Sequence, residues 1–217
     1  MTRETMGELQ SWGMLTALGA FHGDNPGMGW LFAVALGMQE RRRAAVLWAL
    51  VPLAVGHALA VGAAVGVALA AGAVVPLQSL RWGTAGVLVW LGATRFVRHR
   101  HPRWAGMRDG FGGLTVWSFL MATAHGAGLM MVPVVVGMSM ADGGAHTHHM
   151  PASAGVSAEA ALVASALHAA SYLAMTAAIA VVVFERLGVG ILRRAWLNLD
   201  VLWAGALVAT GMVTLAV

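Results

Sequence analysis

The chain has 217 residues, of which 59% are hydrophobic and only 10% charged, with a mean hydropathy of +0.75. Soluble domains run near 25% charged, so the composition excludes a disordered chain, a coiled coil, a nucleic-acid-binding module and a soluble enzyme. All 13 basic residues are Arg, gathered near the ends of apolar stretches, and the absence of Cys removes disulfides, thiolate metal sites and iron–sulfur clusters.

Apolar stretches at 11–39, 44–73, 80–97, 112–140, 159–184 and 195–217 each reach the ~17–25 residues that cross a hydrocarbon core. The first ten residues hold Glu4 and Glu8 and lack a basic n-region, so no cleaved signal peptide is expected. Every Arg except Arg3 and Arg81 falls in, or (Arg95) within three residues of, the connection after the first, third or fifth stretch. By the positive-inside rule those connections are cytoplasmic, and both termini of a multi-pass protein of the cell membrane lie outside.

In the first stretch, His22-Gly23-Asp24-Asn25-Pro26-Gly27 cannot continue an apolar helix. Pro26 lacks an N–H, and its ring clashes with the carbonyl four residues back, that of His22. Gly23 can end one half-helix, Asn25 can cap the next, and Pro26 fits its first position. A broken helix is expected at 23–26, with the Asp24 carboxylate and a helix carbonyl end facing a cation. The second stretch carries His57 in AVGHALAV, and the third carries Trp90 in LVWLGA. The fourth repeats the theme with His125 in AHGAGLMM, the fifth has His168 in ASALHAAS, and the sixth has Trp203 in VLWAGA.

These pairs, His22 with His125, His57 with His168 and Trp90 with Trp203, suggest an internal duplication. Three spans per half would insert the halves in opposite directions, as in many secondary transporters. The expected fold is therefore all-α: a polytopic membrane protein of six transmembrane helices, built as two inverted three-helix repeats with a broken first helix. Residues 1–108 form the first repeat; residues 109–217 form the second, with a His-rich outer loop at 138–156. Together they make one membrane domain.

Ionisable side chains inside a membrane are costly and normally face the bundle interior. His22, Asp24, His57, His125 and His168 are the candidate metal ligands at the midplane, neutral imidazole being the commonest protein metal ligand. Tyr172, four residues after His168, shares its helix face, and with Ser165 and Ser171 it is a candidate to orient the imidazoles. Asn25, Met121 and Asp200 are candidate supporting or relay groups. His146, His148 and His149 in the outer loop suggest a metal-collecting segment. Gly19, Gly23 and Gly27, and Gly62 and Gly66, are spaced for close helix contact, and Trp90 and Trp203 are read as packing residues.

Six spans in two halves, a mid-helix HGDNPG, a second-span GHALAVG and a His-bearing outer loop resemble the lysine-exporter (LysE) superfamily of transporters. The nearest branch is similar to the nickel/cobalt (NicO-type) transporters, whose first span carries a His–Pro–Gly-rich segment. The Asp24-Asn25 pair also resembles the acid-plus-Asn signature of the tellurium-resistance (TerC-type) branch. The acid here comes two residues after the His, without a His-x4-Asp-His signature.

The expected function is transport of a divalent transition-metal cation, with no enzymatic role. Imidazole with one carboxylate suits nickel, cobalt or zinc, and added Met ligation favours copper. The expected partners are the metal ion, the lipid bilayer and, compatibly, further copies of the chain; no nucleic acid is expected. The alternatives are a b-type haem protein with paired axial His and a metal-dependent membrane enzyme.

Overall fold

The computed structural model describes residues 3–72, 75–97, 110–146, 158–187 and 199–216, and among these the regular structure is entirely helical. The elements are α1 (Arg3–Asp24), a 3-10 turn (Pro26–Met28), α2 (Trp30–Glu40), α3 (Arg43–Gly72) and α4 (Leu77–Val97). There follow α5 (Phe111–Ala124), α6 (Ala127–His146), α7 (Ala158–Val182) with a π turn at Val183–Leu187, and α8 (Leu199–Ala216).

Among the described residues two helices, Arg43–Gly72 and Ala158–Arg186, are long and apolar enough to cross a membrane. A third candidate is the pair Phe111–Ala124 and Ala127–Val136, bent by 54° across a short break. The first of the six expected spans is divided more deeply, into helices of 22 and 11 residues, neither of which qualifies alone. On the candidate spans, Trp48, Val67 and Leu162 are 72%, 69% and 71% exposed. Large apolar side chains laid open on helices of this length suit lipid rather than water.

Three close pairings organise the helices. α1 runs parallel to α7, with Gly19 against His168 and Ser171, and Gly23 against Tyr172 and Met175. A Cβ on Gly19 would run into the His168 carbonyl, so this contact needs glycine. α3 runs parallel to α5 and α6: Gly56 meets Thr115 and Ser118, and Gly128 meets Ala60 and Ala64. α4 and α8 run antiparallel, Gly92 lying on Ala204 and Val208 while Gly211 lies on Ala85 and Val89. The first stretch of the chain thus pairs with the fifth, the fourth with the second and the third with the sixth.

The small-residue expectation divides on this arrangement. Gly19 and Gly23 make the close contact foreseen, whereas Gly62 and Gly66 face open space. A glycine spacing is shared by every small-residue helix, and only the face turned to a neighbour uses it. Trp90 is 64% exposed, so its side chain does not fill the interior. Arg81 has a structural job: its Nε and Nη2 donate to the Thr214 carbonyl at 3.1 and 2.9 Å. This satisfies a carbonyl in the last turn of α8, where cations are favoured.

Candidate functional site: a buried histidine cluster

The break in the first stretch is built by the residues that announced it. α1 ends at Asp24, one residue later than expected, and Asn25 caps the 3-10 turn by accepting from Gly27 N–H at 2.8 Å. Pro26 occupies the first position of that turn. Gly29 follows at φ 132°, a conformation open to glycine and strained for other residues, and α2 starts at Trp30. Helix ends leave carbonyls without partners, and side chains satisfy them here. Tyr172 O–H donates to the Met28 carbonyl at 2.8 Å, Trp30 Nε1 to the Asp24 carbonyl at 2.9 Å, and Thr176 O–H to the Gly23 carbonyl at 3.4 Å.

The second break is plainer. His125 closes α5, Gly126 takes φ 70°, and α6 begins at once at Ala127. The Met121 methyl carbon lies 3.4 Å from where a Cβ on Gly27 would stand, so the two breaks face each other.

Beside the first break three imidazoles meet. The ring centres of His22 and His168 are 5.1 Å apart, those of His57 and His168 5.5 Å, and those of His22 and His57 6.0 Å. All three residues are fully buried, and they come from α1, α3 and α7. Tyr172 continues the stack, its ring 3.8 Å from that of His57 and within 9° of parallel.

Hydrogen bonds fix one tautomer. His22 Nδ1 lies 2.7 Å from the Leu18 carbonyl, and His125 Nδ1 lies 2.8 Å from the Met121 carbonyl. A carbonyl only accepts, so each Nδ1 carries the proton and each Nε2 the lone pair. Both contacts run from a histidine at a break to the carbonyl four residues earlier. His57 has both ring nitrogens buried with no hydrogen-bond partner, and the Leu15 carbonyl approaches His168 without reaching hydrogen-bond geometry. A buried polar group left unsatisfied costs about 1–3 kcal/mol, so this imidazole is retained against stability.

The structure thus gathers His22, His57 and His168, and holds buried His125 at the second break. It leaves Asp24 outside the cluster. That side chain is exposed, because two residues along an α-helix is about 200° of rotation, and His22 faces inward. Asn25 is a cap within the break. Ser165 and Ser171 bond their own helix at the Ala161 and Leu167 carbonyls and do not orient the imidazoles. Asp200 stands in the first turn of α8 and His146 ends α6; their side chains, with His148 and His149, lie outside the described residues.

Sequence reasoning missed Thr176, four residues after Tyr172 on the same face, and Ser118, whose hydroxyl donates to the Leu53 carbonyl at 2.7 Å. Among the described residues no three His, Asp or Glu side chains stand ready to hold an ion; the imidazoles pack edge and face rather than converge. No family model, no curated protein and no solved structure matches the chain.

Proposed function

We propose that the protein is a membrane transporter of transition-metal ions, six spans in two inverted repeats, with His22, His57 and His168 as its central binding site and His125 beside it. The observation that carries this reading is the buried triangle of imidazoles, with ring centres 5.1–6.0 Å apart. An ion about 2.1 Å from a ring nitrogen lies about 3.2 Å from that ring's centre, which spaces three centres by about 5.2–5.5 Å around a trigonal or tetrahedral ion. The observed spacing of 5.1–6.0 Å spans that range, which supports the reading, although the rings would have to rotate about their side-chain bonds to aim their nitrogens at one ion.

The tautomer supports the same reading. Metal-ligating histidines almost always give their other N–H to a carbonyl or carboxylate, as His22 does to Leu18. The pairing of helices supports the repeat, since exchanging the two halves of the chain maps first-with-fifth onto fourth-with-second and leaves third-with-sixth in place. The matching contacts of His22 with Leu18 and His125 with Met121 obey the same exchange. The layout agrees with the resemblance to the LysE superfamily, and both termini fall outside by the Arg distribution.

Elemental analysis of the protein purified in detergent tests the reading. Tightly held transition metal is expected in the wild type, with strong loss in His22→Ala and His168→Ala and little change in His146→Ala. Equal metal in the wild type and both core variants would sink the central site.

A further inference from the structure

We propose, resting on the transport reading above, that Tyr172 is a positioning residue that couples ion binding at the imidazoles to a pivot between α1 and α2. Its ring touches the first and its hydroxyl the second. The ring lies 3.8 Å from that of His57 and within 9° of parallel, and the hydroxyl donates to the Met28 carbonyl at 2.8 Å. Met28 closes the 3-10 turn, and Gly29, at φ 132°, is the single residue between that turn and α2.

The rings as they stand do not share an ion. A metal binds neutral imidazole at a ring nitrogen, along the lone pair in the plane of the ring. His57 and His168 are stacked within 15° of parallel, so an ion in the plane of one lies off the plane of the other. One of them must turn, and His57 is the ring that no hydrogen bond restrains. His22 is held to the Leu18 carbonyl and the Leu15 carbonyl approaches His168, whereas both His57 nitrogens are buried without a hydrogen-bond partner. An ion supplies the partner that these nitrogens lack.

What restrains His57 is Tyr172. A separation of 3.8 Å is van der Waals contact between ring faces, so tilting His57 out of parallel drives its edge into the Tyr172 ring. Tyr172 gives way by shifting that ring, which carries its hydroxyl off the Met28 carbonyl. A second acceptor stands close, because the Ser118 hydroxyl lies beside the Tyr172 hydroxyl. The latch therefore has two discrete positions, as coupling between sites requires. In the second, the carbonyl before Gly29 is released, and glycine has the freest backbone of any residue. Ion binding thus loosens the joint at which α2 departs from α1, the kind of hinge on which gates turn.

Hydrogen exchange on the full chain in detergent, with and without zinc or nickel, tests the coupling in wild type, Tyr172→Phe and Thr176→Val. Saturating ion should speed exchange at 27–30 in the wild type about fivefold, as expected for the loss of one hydrogen bond. Tyr172→Phe keeps the stacked ring and lacks the hydroxyl. Its exchange at 27–30 should be fast already and indifferent to the ion. It should also bind the ion about two- to tenfold tighter, since binding no longer breaks that bond. Thr176→Val removes the other α7 donor at this break and leaves the latch, so its response to the ion should match the wild type. Ion bound with exchange at 27–30 unchanged in the wild type would overturn the coupling and leave the transport reading standing, with His22 and His168 turning about a fixed His57. An intact response in Tyr172→Phe, a lost response in Thr176→Val, or weaker binding by Tyr172→Phe would reduce Tyr172 to a packing residue. A wild type that binds neither ion would remove the coupling and the transport reading together.

Discussion

The two breaks begin alike and end differently. Each follows a histidine whose Nδ1–H meets the carbonyl four residues earlier, and each stands in a partner position of the proposed repeat. The first is then elaborated by an Asn cap, a Pro-led turn and a glycine at φ 132°. Three of its carbonyls are taken by Tyr172, Thr176 and Trp30, two of these residues reaching over from α7. The second needs only Gly126 before its helix resumes. The difference teaches where the site belongs. The histidine triangle forms at the break that α7 holds in place, because the helix face that supplies His168 also supplies Tyr172 and Thr176.

The largest expected effect removes the cluster's costly member. His57→Phe keeps a flat ring to stack on Tyr172 and deletes two buried nitrogens without hydrogen-bond partners. Metal affinity should fall about a hundredfold, or about 2.7 kcal/mol, while the melting temperature holds or rises, since an unsatisfied buried polar group is removed. Isothermal titration and a thermal melt on the same preparation check both halves. A fall in both would mean that His57 serves packing alone.

Adding one methyl to each break separates them by mechanism. In Gly23→Ala the new Cβ meets the Tyr172 carbonyl at 2.5 Å, so α1 must move off α7; overpacking of this kind costs about 1–3 kcal/mol. In Gly126→Ala the strain is local, from φ 70° and a Leu207 methyl at 3.0 Å, and the left-handed backbone costs about 1–2 kcal/mol. Both should lower the melting temperature, and only Gly23→Ala should also weaken metal binding. Equal loss of metal in both variants would show that the two breaks share the site evenly.

Tyr172→Phe is a finer probe of the same difference. It keeps the stacked ring and removes the hydroxyl that donates to the Met28 carbonyl, at a cost of about 1 kcal/mol. Hydrogen exchange should speed up at 27–30 and stay unchanged at 125–130. Faster exchange at both breaks would show that they open as one unit.

How much of this was legible depends on what each residue's signal encodes. HGDNPG declared its own break, because a cap and a proline act within a turn and need no knowledge of the rest of the fold. The four histidines stood out because ionisable residues are rare in apolar stretches. Asp24 is exposed, a direction readable from helix geometry, since it stands two residues past an inward His22. Thr176 and Ser118 were not legible, since a hydroxyl in an apolar helix carries no mark of which neighbouring carbonyl it will meet. The unequal fate of Gly19 and Gly62 has the same origin, as a spacing cannot say which face is covered.

The smallest effect is expected farthest from both breaks. Arg43 Nη1 lies 3.1 Å from Glu185 Oε1, joining the start of α3 to the π turn after α7, with side chains 59% and 40% exposed. These helices carry His57 and His168, so the pair ties their Arg-rich ends together. Exposed ion pairs contribute at most about 0.5–1 kcal/mol and are screened by salt. Arg43→Gln should therefore shift the melting temperature slightly at low salt and not at all at high salt, with metal affinity and exchange at both breaks unchanged. Faster exchange at 27–30 but not at 125–130 would be the informative surprise. It would mean that α7 transmits a disturbance from its Arg-rich end to the first break, and that the asymmetry between the breaks runs the length of the helix.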